Sequence, residues 1–293
     1  MAEQQAADNR EKKKKAFLIV GVVVAVGLVI GYFYNAYRAT HISTDDAFVE
    51  GNIHTIAARV GGSVRTVAVS DNQQVGRGDM LVELDPADYR SKAEAARANL
   101  ELQRATLRLA DTERMRAKAL FDQEAGSADR YDKAASTHEI ALAQVKLAEE
   151  QLRQAELNLG YTRITAPAAG FITRKSVQTG NQVSTGQPLM AIVDLDNIYV
   201  IANYKETEMA HIRPGQPVRI TVDAYPGRVF TGKVDSIMAG TGVSFSLFPA
   251  ENATGNYVKV VQRIPVKIVL DPGEDKDHRL RVGMSVVPTV LVK

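Results

Sequence analysis

The sequence predicts an elongated, multidomain α+β protein. It comprises a single N-terminal transmembrane helix, a β-sandwich interrupted by an α-helical coiled-coil hairpin, and a small antiparallel β-barrel. Three observations predict this fold class. The first is an uncharged apolar run near the N-terminus. The second is a self-match between two segments 108 residues apart, and the third is a stretch of helical composition that separates them.

Composition narrows the function classes before any motif is considered. The 293 residues exceed the usual size of one domain, so we expect several small modules. The 36 basic and 34 acidic side chains leave a net charge of +2, which does not predict a nucleic-acid partner. The absence of cysteine excludes disulfides and Cys-ligated metals, and the five histidines lack ligand spacing, so we expect no metal site.

The segment that indicates location is the uncharged run from Ala16 to Tyr34, which would span about 28 Å as a helix. Four consecutive lysines precede it, and three tyrosines suited to a membrane interface lie near its end. By the positive-inside rule, residues 1–15 form a cytoplasmic tail, residues 16–37 cross the membrane once, and the rest is exported. A cleaved signal peptide is the alternative. It is disfavoured because the run exceeds a usual signal core and no small-x-small cleavage site follows.

The body of the chain contains an internal repeat, in which residues 58–84 match residues 166–192 without a gap. The matched pairs are Ala58 with Ala166, Gly62 with Gly170, Val64 with Ile172, Gln74 with Gln182, Val75 with Val183, Gly78 with Gly186 and Leu81 with Leu189. Each copy alternates short apolar runs with Gly-containing turns, which predicts short strands. A copy of about 30 residues cannot bury a core alone, so the two are expected to form one small β-sandwich.

The insert between the copies, residues 86–160, is rich in Ala, Glu, Gln, Arg and Leu, which predicts two helices. Gly126 breaks the pattern, and Ser127 is suited to cap the second helix. Residues at heptad spacing predict the contacting faces: Ala95, Ala98, Leu102, Ala105 and Leu109 in the first helix, and Ala141, Val145, Ala148, Leu152, Ala155 and Leu159 in the second. Such a hairpin would project about 50 Å as a spacer or docking arm. The alternative is an ordinary helical pair lying on the sheet.

Beyond residue 196 the pattern returns to strands. The predicted strands are Ile198–Tyr204, Pro217–Val222, Val229–Met238, Tyr257–Leu270 and Met284–Val292. Their spacing, with Pro-Gly turns between them, predicts a small antiparallel β-barrel, to which residues 38–56 add strands. A long loop near its middle carries Phe245, Leu247 and Phe248. We expect this loop either to contact a transporter or the membrane, or to plug the barrel.

Several short motifs carry a resemblance to a known family. They are Thr44-Asp45-Asp46-Ala47-Phe48-Val49, Arg163-Ile164-Thr165-Ala166-Pro167 with Gly170, Asn203-Tyr204-Lys205-Glu206-Thr207, the segment 240–263, and Leu280-Arg281-Val282-Gly283-Met284. With these motifs the chain resembles the HlyD-type membrane fusion proteins, or periplasmic adaptors, and among them the EmrA-type subgroup. The resemblance covers nearly the whole chain after Lys15.

The resemblance implies that the sandwich is lipoyl-like and that the protein is anchored in the bacterial inner membrane with its bulk in the periplasm. The expected domains are a cytoplasmic tail (1–15), a transmembrane anchor (16–37), a membrane-proximal segment joining the barrel (38–56), half-motif 1 (57–85), the hairpin (86–160), half-motif 2 (161–195) and the barrel (196–293).

The resemblance further implies an adaptor subunit of a tripartite multidrug efflux system. Its partners would be an inner-membrane major-facilitator, EmrB-like transporter, an outer-membrane TolC-type channel, and further copies of the chain in an oligomer. Arg116, Leu120 and Ser127 follow the spacing R-x3-L-x6-S, which resembles the family's tip motif for docking on the channel. The hairpin is shorter than in the long EmrA-type members.

Three alternatives remain open. The chain could serve an ABC-type or other exporter, or it could be a lipoyl or biotinyl carrier or a membrane-bound hydrolase. A carrier needs an acceptor lysine on the turn joining the half-motifs, and the helical insert occupies that place. No nucleophile elbow, zinc-protease motif or P-loop occurs, so we expect no catalytic residue, no cofactor and no enzyme activity.

Overall fold

A computed structural model describes residues 27–29, 31–32, 40–242 and 261–292. Within these ranges, no helix combines the length and the apolar character that crossing a membrane requires, and most of the predicted anchor, residues 16–37, lies outside them. The chain divides into two compact units. The barrel unit is Met1–Asn52 with Leu195–Lys293, and the sandwich unit is Ile53–Asp194.

In the described ranges, one pair of long helices is preceded and followed by strands. In chain order the first six strands are β1 His41–Ser43, β2 Ala47–Glu50, β3 Ile53–Ala57, β4 Gly62–Val67, β5 Gln74–Val75 and β6 Met80–Leu84. The helices α1 Ala87–Asp122 and α2 Ala128–Gly160 follow. The remaining strands are β7 Arg163–Thr165, β8 Gly170–Thr173, β9 Gln182–Val183, β10 Pro188–Val193, β11 Tyr199–Lys205, β12 Pro217–Val222, β13 Val229–Ile237, β14 Arg263–Leu270 and β15 Val286–Leu291.

The barrel unit is an antiparallel sheet in the order β1-β15-β12-β13-β14-β11-β2. Its last strand also meets the chain just before β15: the Val49 N–H donates to the Met284 carbonyl (2.9 Å), and the Gly283 N–H donates to the Val49 carbonyl (2.8 Å). The sheet therefore curls into a barrel. Alternate side chains of β12 are buried, as expected for strands with one face inside. The barrel predicted from strand spacing is confirmed.

The sandwich unit contains two sheets, β3-β10-β8-β5 and β7-β6-β4-β9. The repeat relates one sheet to the other, since equivalent hydrogen bonds occur at positions 108 residues apart. The Ala58 N–H donates to the Gln187 carbonyl (3.0 Å), and the Ala166 N–H donates to the Asp79 carbonyl (2.9 Å). The predicted sandwich is confirmed, and each sheet combines strands of both copies.

One boundary differs from the sequence prediction. Residues 53–56 were expected to join the barrel, but they lie in β3, which pairs with β10 of the sandwich. The residues that do join the barrel are those of β1 and β2, which pair with β15 and β11. The apolar residues of a short strand do not determine with which sheet the strand will pair.

Close approach of β8 to β10 explains one glycine of the repeat. A Cβ atom added at Gly170 would lie 2.4 Å from the Val193 carbonyl oxygen, closer than any real contact. At the equivalent Gly62, the nearest atom to an added Cβ is the Leu84 side chain at 3.8 Å. The two copies therefore share a glycine in sequence, but only Gly170 is required by space.

The helical hairpin emerges from the sandwich between β6 and β7. With 36 and 33 residues, α1 and α2 are about 54 and 50 Å long. The Tyr89 hydroxyl donates to the Gly61 carbonyl (2.7 Å) and ties the base of α1 to the sandwich. At the far end, the Ser127 hydroxyl oxygen accepts a hydrogen bond from the Arg130 N–H (3.4 Å). The predicted N-cap of α2 is confirmed.

The contact between the helices confirms one predicted seam and overturns the other. In α2, Ala141, Val145 and Ala148 are buried as predicted. In α1, Leu102 and Leu109 are 62% and 64% exposed, so the predicted face of α1 points outward. The buried residues of α1 are Ala93, Leu100, Ala110 and Ala117. The prediction for α1 was wrong because this helix carries two apolar stripes at heptad spacing, offset from each other by two residues. An offset of two residues is a rotation of about 200° around the helix, so the two stripes lie on nearly opposite faces.

Candidate functional site

The tip of the hairpin is a short turn between Asp122 and Ala128. Its backbone is closed by a hydrogen bond from the Ala125 N–H to the Leu120 carbonyl (2.9 Å). Gly126 packs against this turn, where an added Cβ would lie 3.2 Å from the Leu120 Cβ. A glycine at this position therefore lets the chain reverse tightly, and the turn is left at the surface.

The structure brings the three predicted docking residues to this end of the hairpin. Arg116 is 66% exposed, and its guanidinium lies 2.8 Å from the Glu113 carboxylate. Leu120 is half-buried beneath the turn, and Ser127 is exposed but uses its hydroxyl to cap α2. Arg116 and Leu120 therefore have side chains that a partner could contact, whereas Ser127 already has a structural role. Their docking role remains a prediction.

Sequence reasoning missed an aromatic pair at the tip. The rings of Phe121 and Tyr131 are stacked with centroids 5.9 Å apart and an interplanar angle of 13°. Phe121 is also 43% exposed, so it adds apolar surface next to Leu120. The signal was available, because the two aromatic residues stand at equal distances on either side of Gly126.

The tip also carries a fixed positive charge. A hydrogen bond from the Lys118 ammonium to the Asp122 carboxylate (2.8 Å) raises the pKa of Lys118 above its usual value. The ammonium therefore stays charged at physiological pH. The last turns of α1 offer both charged donors and exposed apolar side chains to a partner.

Residues of three distant motifs meet in the barrel unit, which the sequence did not predict. The Arg263 guanidinium donates to the Asp46 carboxylate (2.8 Å), and the Asn203 amide donates to the other oxygen of the same carboxylate (3.2 Å). The Thr44 hydroxyl in turn donates to the Asn203 carbonyl (2.9 Å). These residues brace β2, β11 and β14 against each other. No local spacing could reveal a contact across 217 residues.

The third predicted site, formed by Phe245, Leu247 and Phe248, lies in residues 243–260, outside the described ranges. The described residues on either side of this segment belong to paired strands of the barrel, and the Met238 N–H donates to the Pro265 carbonyl (2.9 Å). The proposed contact of this loop with a transporter or membrane remains a prediction.

A sandwich of two repeated half-motifs split by a long helical hairpin, followed by an antiparallel barrel, defines the class of membrane fusion proteins that act as adaptors. Residues 52–195 match the family described as the RND MFP barrel-sandwich hybrid domain, and residues 197–293 match the AAEA-like beta-barrel domain. The chain belongs to the membrane fusion protein family. Members of this family are adaptor subunits rather than enzymes.

Characterised relatives support the assignment. The chain is 37% identical to the multidrug export protein EmrA of Escherichia coli, over 91% of this chain and 80% of that protein. It is 38% identical to the fatty acid resistance protein FarA of Neisseria gonorrhoeae, over 84% of this chain and 75% of that protein. The resemblance to EmrA-type adaptors is confirmed.

Solved structures have the same fold. A membrane fusion protein from Streptococcus pneumoniae matches 86% of this chain and 99% of its own with a TM-score of 0.65 at 20% identity. A MacA-MexA chimeric protein containing the Pseudomonas aeruginosa MexA α-hairpin domain matches 87% of this chain and 82% of its own, with a TM-score of 0.60 at 25% identity.

Proposed function

We propose that the chain is the periplasmic adaptor subunit of a tripartite multidrug efflux system. It links an inner-membrane major-facilitator, EmrB-like transporter to an outer-membrane TolC-type channel. The observation that carries the proposal is the geometry of the hairpin. Its two helices bury apolar residues against each other, and the turn that joins them is exposed. A long arm of this kind reaches away from the domain that supports it.

The tip is the proposed docking point for the channel. An exposed arginine donates hydrogen bonds to carboxylates or to the free carbonyls at a helix end of a partner. Leu120 and Phe121 supply adjacent apolar surface for a groove between partner helices. Ser127 completes the motif by capping α2, which holds the turn in one conformation.

The anchor and the barrel loop are the proposed transporter side. Residues 16–37 would hold the chain in the inner membrane with residues 1–15 in the cytoplasm, because four lysines precede the apolar run. Phe245, Leu247 and Phe248 would then contact the transporter or the membrane surface from the barrel unit. The names of the relatives, a multidrug export protein and a fatty acid resistance protein, support an apolar cargo for the transporter.

The carrier alternative has weak support by comparison. A lipoyl or biotinyl carrier presents its lysine on a tight turn between the half-motifs, and here α1 and α2 stand between β6 and β7. We therefore propose a non-enzymatic subunit without a cofactor. An intact mass without a lipoyl or biotin adduct is the expected result.

The decisive experiment is co-purification from cells that produce the tagged full-length chain. Membranes are extracted in mild detergent, the chain is captured, and bound proteins are identified by mass spectrometry. We expect a major-facilitator transporter and an outer-membrane channel of the TolC type. Recovery of an ABC-type exporter instead would replace the transporter assignment, and recovery of neither partner would overturn the proposal.

A tip variant separates the two contacts. Leu120→Asp should remove the channel from the purified complex and leave the transporter bound, since the proposed transporter contacts lie elsewhere. Leu157→Asp is the matched control, because Leu157 is an exposed leucine of the same hairpin that lies at the sandwich end of α2. If both variants retain the channel equally, the tip is not the docking point.

A further inference from the structure

The sandwich is open along one side. Its two sheets are equivalent strand by strand under the offset of 108 residues, and in this relation β3 corresponds to β7. Each of these two strands lies at the end of its sheet, β3 beside β10 and β7 beside β6. Between residues 55–59 and residues 161–167 lies a groove of about 770 Å³, which we call the edge groove. A space of this size is typical of a small-molecule site.

The floor of the edge groove is apolar. Ile56 and Ile164, which occupy equivalent positions of the repeat, are 6% and 9% exposed and belong to the core of the sandwich. Tyr161, which also lines the groove, packs on this core and keeps part of its side chain exposed. Its N–H donates to the Leu157 carbonyl (2.9 Å), which fixes it at the end of α2. The groove therefore offers an apolar surface to the body of a ligand.

Two arginines bring positive charge to the edge groove, and no acidic residue of the described ranges lines it. The Arg59 guanidinium lies over the ring of Tyr161, 5.2 Å from its centroid. Arg163 approaches the Glu83 carboxylate at 4.0 Å and keeps 69% of its side chain exposed. Arg59 forms no ion pair with any residue that the structure describes. The groove is therefore complementary to a ligand with negative charge.

The fold itself does not require these arginines. The position equivalent to Arg59 in the other copy is Pro167, and the position equivalent to Arg163 is Thr55. Both copies form the same strand at the same edge, although only one member of each pair is charged. All four residues line the groove, so the two charges meet there from opposite copies of the repeat.

The open edges add backbone donors to the same groove. The N–H groups of Ala58 and Ala166 bond within their own sheets, at 3.0 and 2.9 Å. Successive residues of an antiparallel strand direct their backbone groups to opposite sides, so those of Ala57 and Thr165 point to the open edge. Both residues line the groove. Backbone N–H groups at the edge of a sheet are suitable donors to an anion.

We propose that the edge groove binds a small organic carboxylate with an apolar body. The carboxylate accepts hydrogen bonds from Arg59 and from the backbone of the open edges, and the apolar body lies on Tyr161 and the two isoleucines. A single negative charge suffices, since Arg163 already faces Glu83. This inference goes beyond the adaptor function, because it gives the sandwich a ligand of its own.

An extended protein segment that pairs with an open edge is the alternative occupant. The described edges are short, with five residues in β3 and three in β7, so strand addition would form few hydrogen bonds. It would also leave the two arginines without a role. The small carboxylate is favoured for these reasons, and the experiment distinguishes the two occupants.

Protection of a cysteine tests the site, since the chain contains none. Thr185 lines the groove, and Thr185→Cys in the full-length protein is labelled with a maleimide in membranes, with and without 2-naphthoate. At about ten times the dissociation constant, mass action predicts labelling about tenfold slower. The neutral 2-naphthamide should not protect. Thr137→Cys, at an exposed threonine of α2, is the control and should be labelled at one rate throughout.

Absence of protection by the carboxylate would overturn the proposal. Equal protection by the amide, or equal slowing at both cysteines, would overturn it as well. Decanoate is the second probe, because it distinguishes a fatty acid from an aromatic acid as the source of the carboxylate. Protection by either carboxylate supports the proposal, and the stronger of the two identifies the apolar body.

Arginine variants in the Thr185→Cys chain test the charge. Arg59→Gln should raise the concentration of 2-naphthoate that gives half-protection about tenfold, because a charged hydrogen bond is lost. Arg59→Lys keeps the charge and should recover part of this loss. Arg65→Gln is the matched control, since Arg65 is an exposed arginine of β4 in the same sandwich. Equal effects of Arg59→Gln and Arg65→Gln would contradict the assignment.

Comparison of membranes with the purified chain tests the alternative occupant. We expect Thr185→Cys to react at the same rate in both when no carboxylate is added. Labelling that becomes fast only after purification would show that a protein covers the groove, and would overturn the proposal. Capture of the transporter and channel by the unmodified chain is scored separately, so failure of the ligand site is distinguishable from failure of the adaptor function.

Discussion

Arg263 donates a hydrogen bond to the carboxylate of Asp46 across 2.8 Å in space and 217 residues in sequence. Asp46 stands just before β2, and Arg263 begins β14. Both strands flank β11, which supplies Asn203 as the second donor to the same carboxylate. One aspartate therefore joins three strands of the barrel. The Thr-Asp-Asp motif near the N-terminus thus helps to hold β2 in a sheet formed mostly by the C-terminal third of the chain.

Removing this carboxylate should weaken the barrel unit. Asp46→Ala loses a partly exposed ion pair and one further hydrogen bond, so we expect the free energy of unfolding to fall by about 1 kcal/mol. Asp45→Ala is the matched control, since Asp45 is the exposed neighbour in the same motif. Urea denaturation of the two variants measures the difference. Equal stability of both would show that the network adds nothing.

The two equivalent glycines of the repeat should respond differently to alanine. Gly170→Ala places a Cβ 2.4 Å from the Val193 carbonyl oxygen, so β8 must move away from β10. We expect a loss of about 2 kcal/mol, similar to the cost of overpacking a core. Gly62→Ala has room for its methyl group and should be near neutral. Thermal unfolding compares them, and a similar loss in both variants would contradict the packing argument.

Tyr204 should make the barrel sensitive to alkali. Its side chain is fully buried, its hydroxyl donates to the Pro288 carbonyl (3.2 Å), and burial raises the pKa of its phenol well above the usual value near 10. Because the pKa is higher in the folded state than in the unfolded state, the contribution to stability is complete below about pH 10. It is lost as the pH rises further.

Tyr204→Phe tests both parts of this argument. At pH 7 the variant loses one buried hydrogen bond, at a cost of about 1 kcal/mol. Above about pH 10 its stability should fall less steeply than that of the parent chain, since no phenol remains to ionise at this position. Unfolding free energies measured from pH 7 to 11 give both quantities. Parallel curves over the alkaline range would contradict the role of Tyr204.

At the hairpin tip, we expect some substitutions to impair docking and others to impair folding. Arg116→Asp or Leu120→Asp is expected to abolish drug resistance while membrane insertion and helix content stay unchanged, because both side chains face outward or lie at the turn. Ser127→Ala should instead lower hairpin stability by about 1 kcal/mol through loss of the cap. Resistance assays and circular dichroism distinguish the outcomes. Unchanged resistance in the Asp variants would count against docking at the tip.

Much of the fold could be predicted because the patterns that encode it are local or repeated. A self-match at constant spacing predicts two equivalent sets of strands, since equal sequences form equal turns and edges. The abrupt change to helical composition marks the insert, and Ser127 marks the start of its second helix. The two half-motifs were predicted to pack together, but the exchange of strands between the sheets required the structure.

The candidate site was predicted only in part. Its place in the chain followed from the break at Gly126, and Arg116 and Leu120 were found by motif spacing. The capping role of Ser127 was predicted from the sequence, whereas the stacking of Phe121 on Tyr131 was missed and became known from the structure. A motif gives the identity of side chains, whereas their exposure depends on what packs around the turn.

The repeat, its strands, the hairpin and the resemblance to the family could be predicted, because each is encoded in residues that lie close together in the chain. Two features became known only from the folded chain: which of two apolar stripes of α1 is buried, and the contact between Asp46 and Arg263. The physical reason is the same for both. Heptad spacing makes a helix face apolar without specifying its partner, and an ion pair across 217 residues forms only when β2 and β14 have both paired with β11.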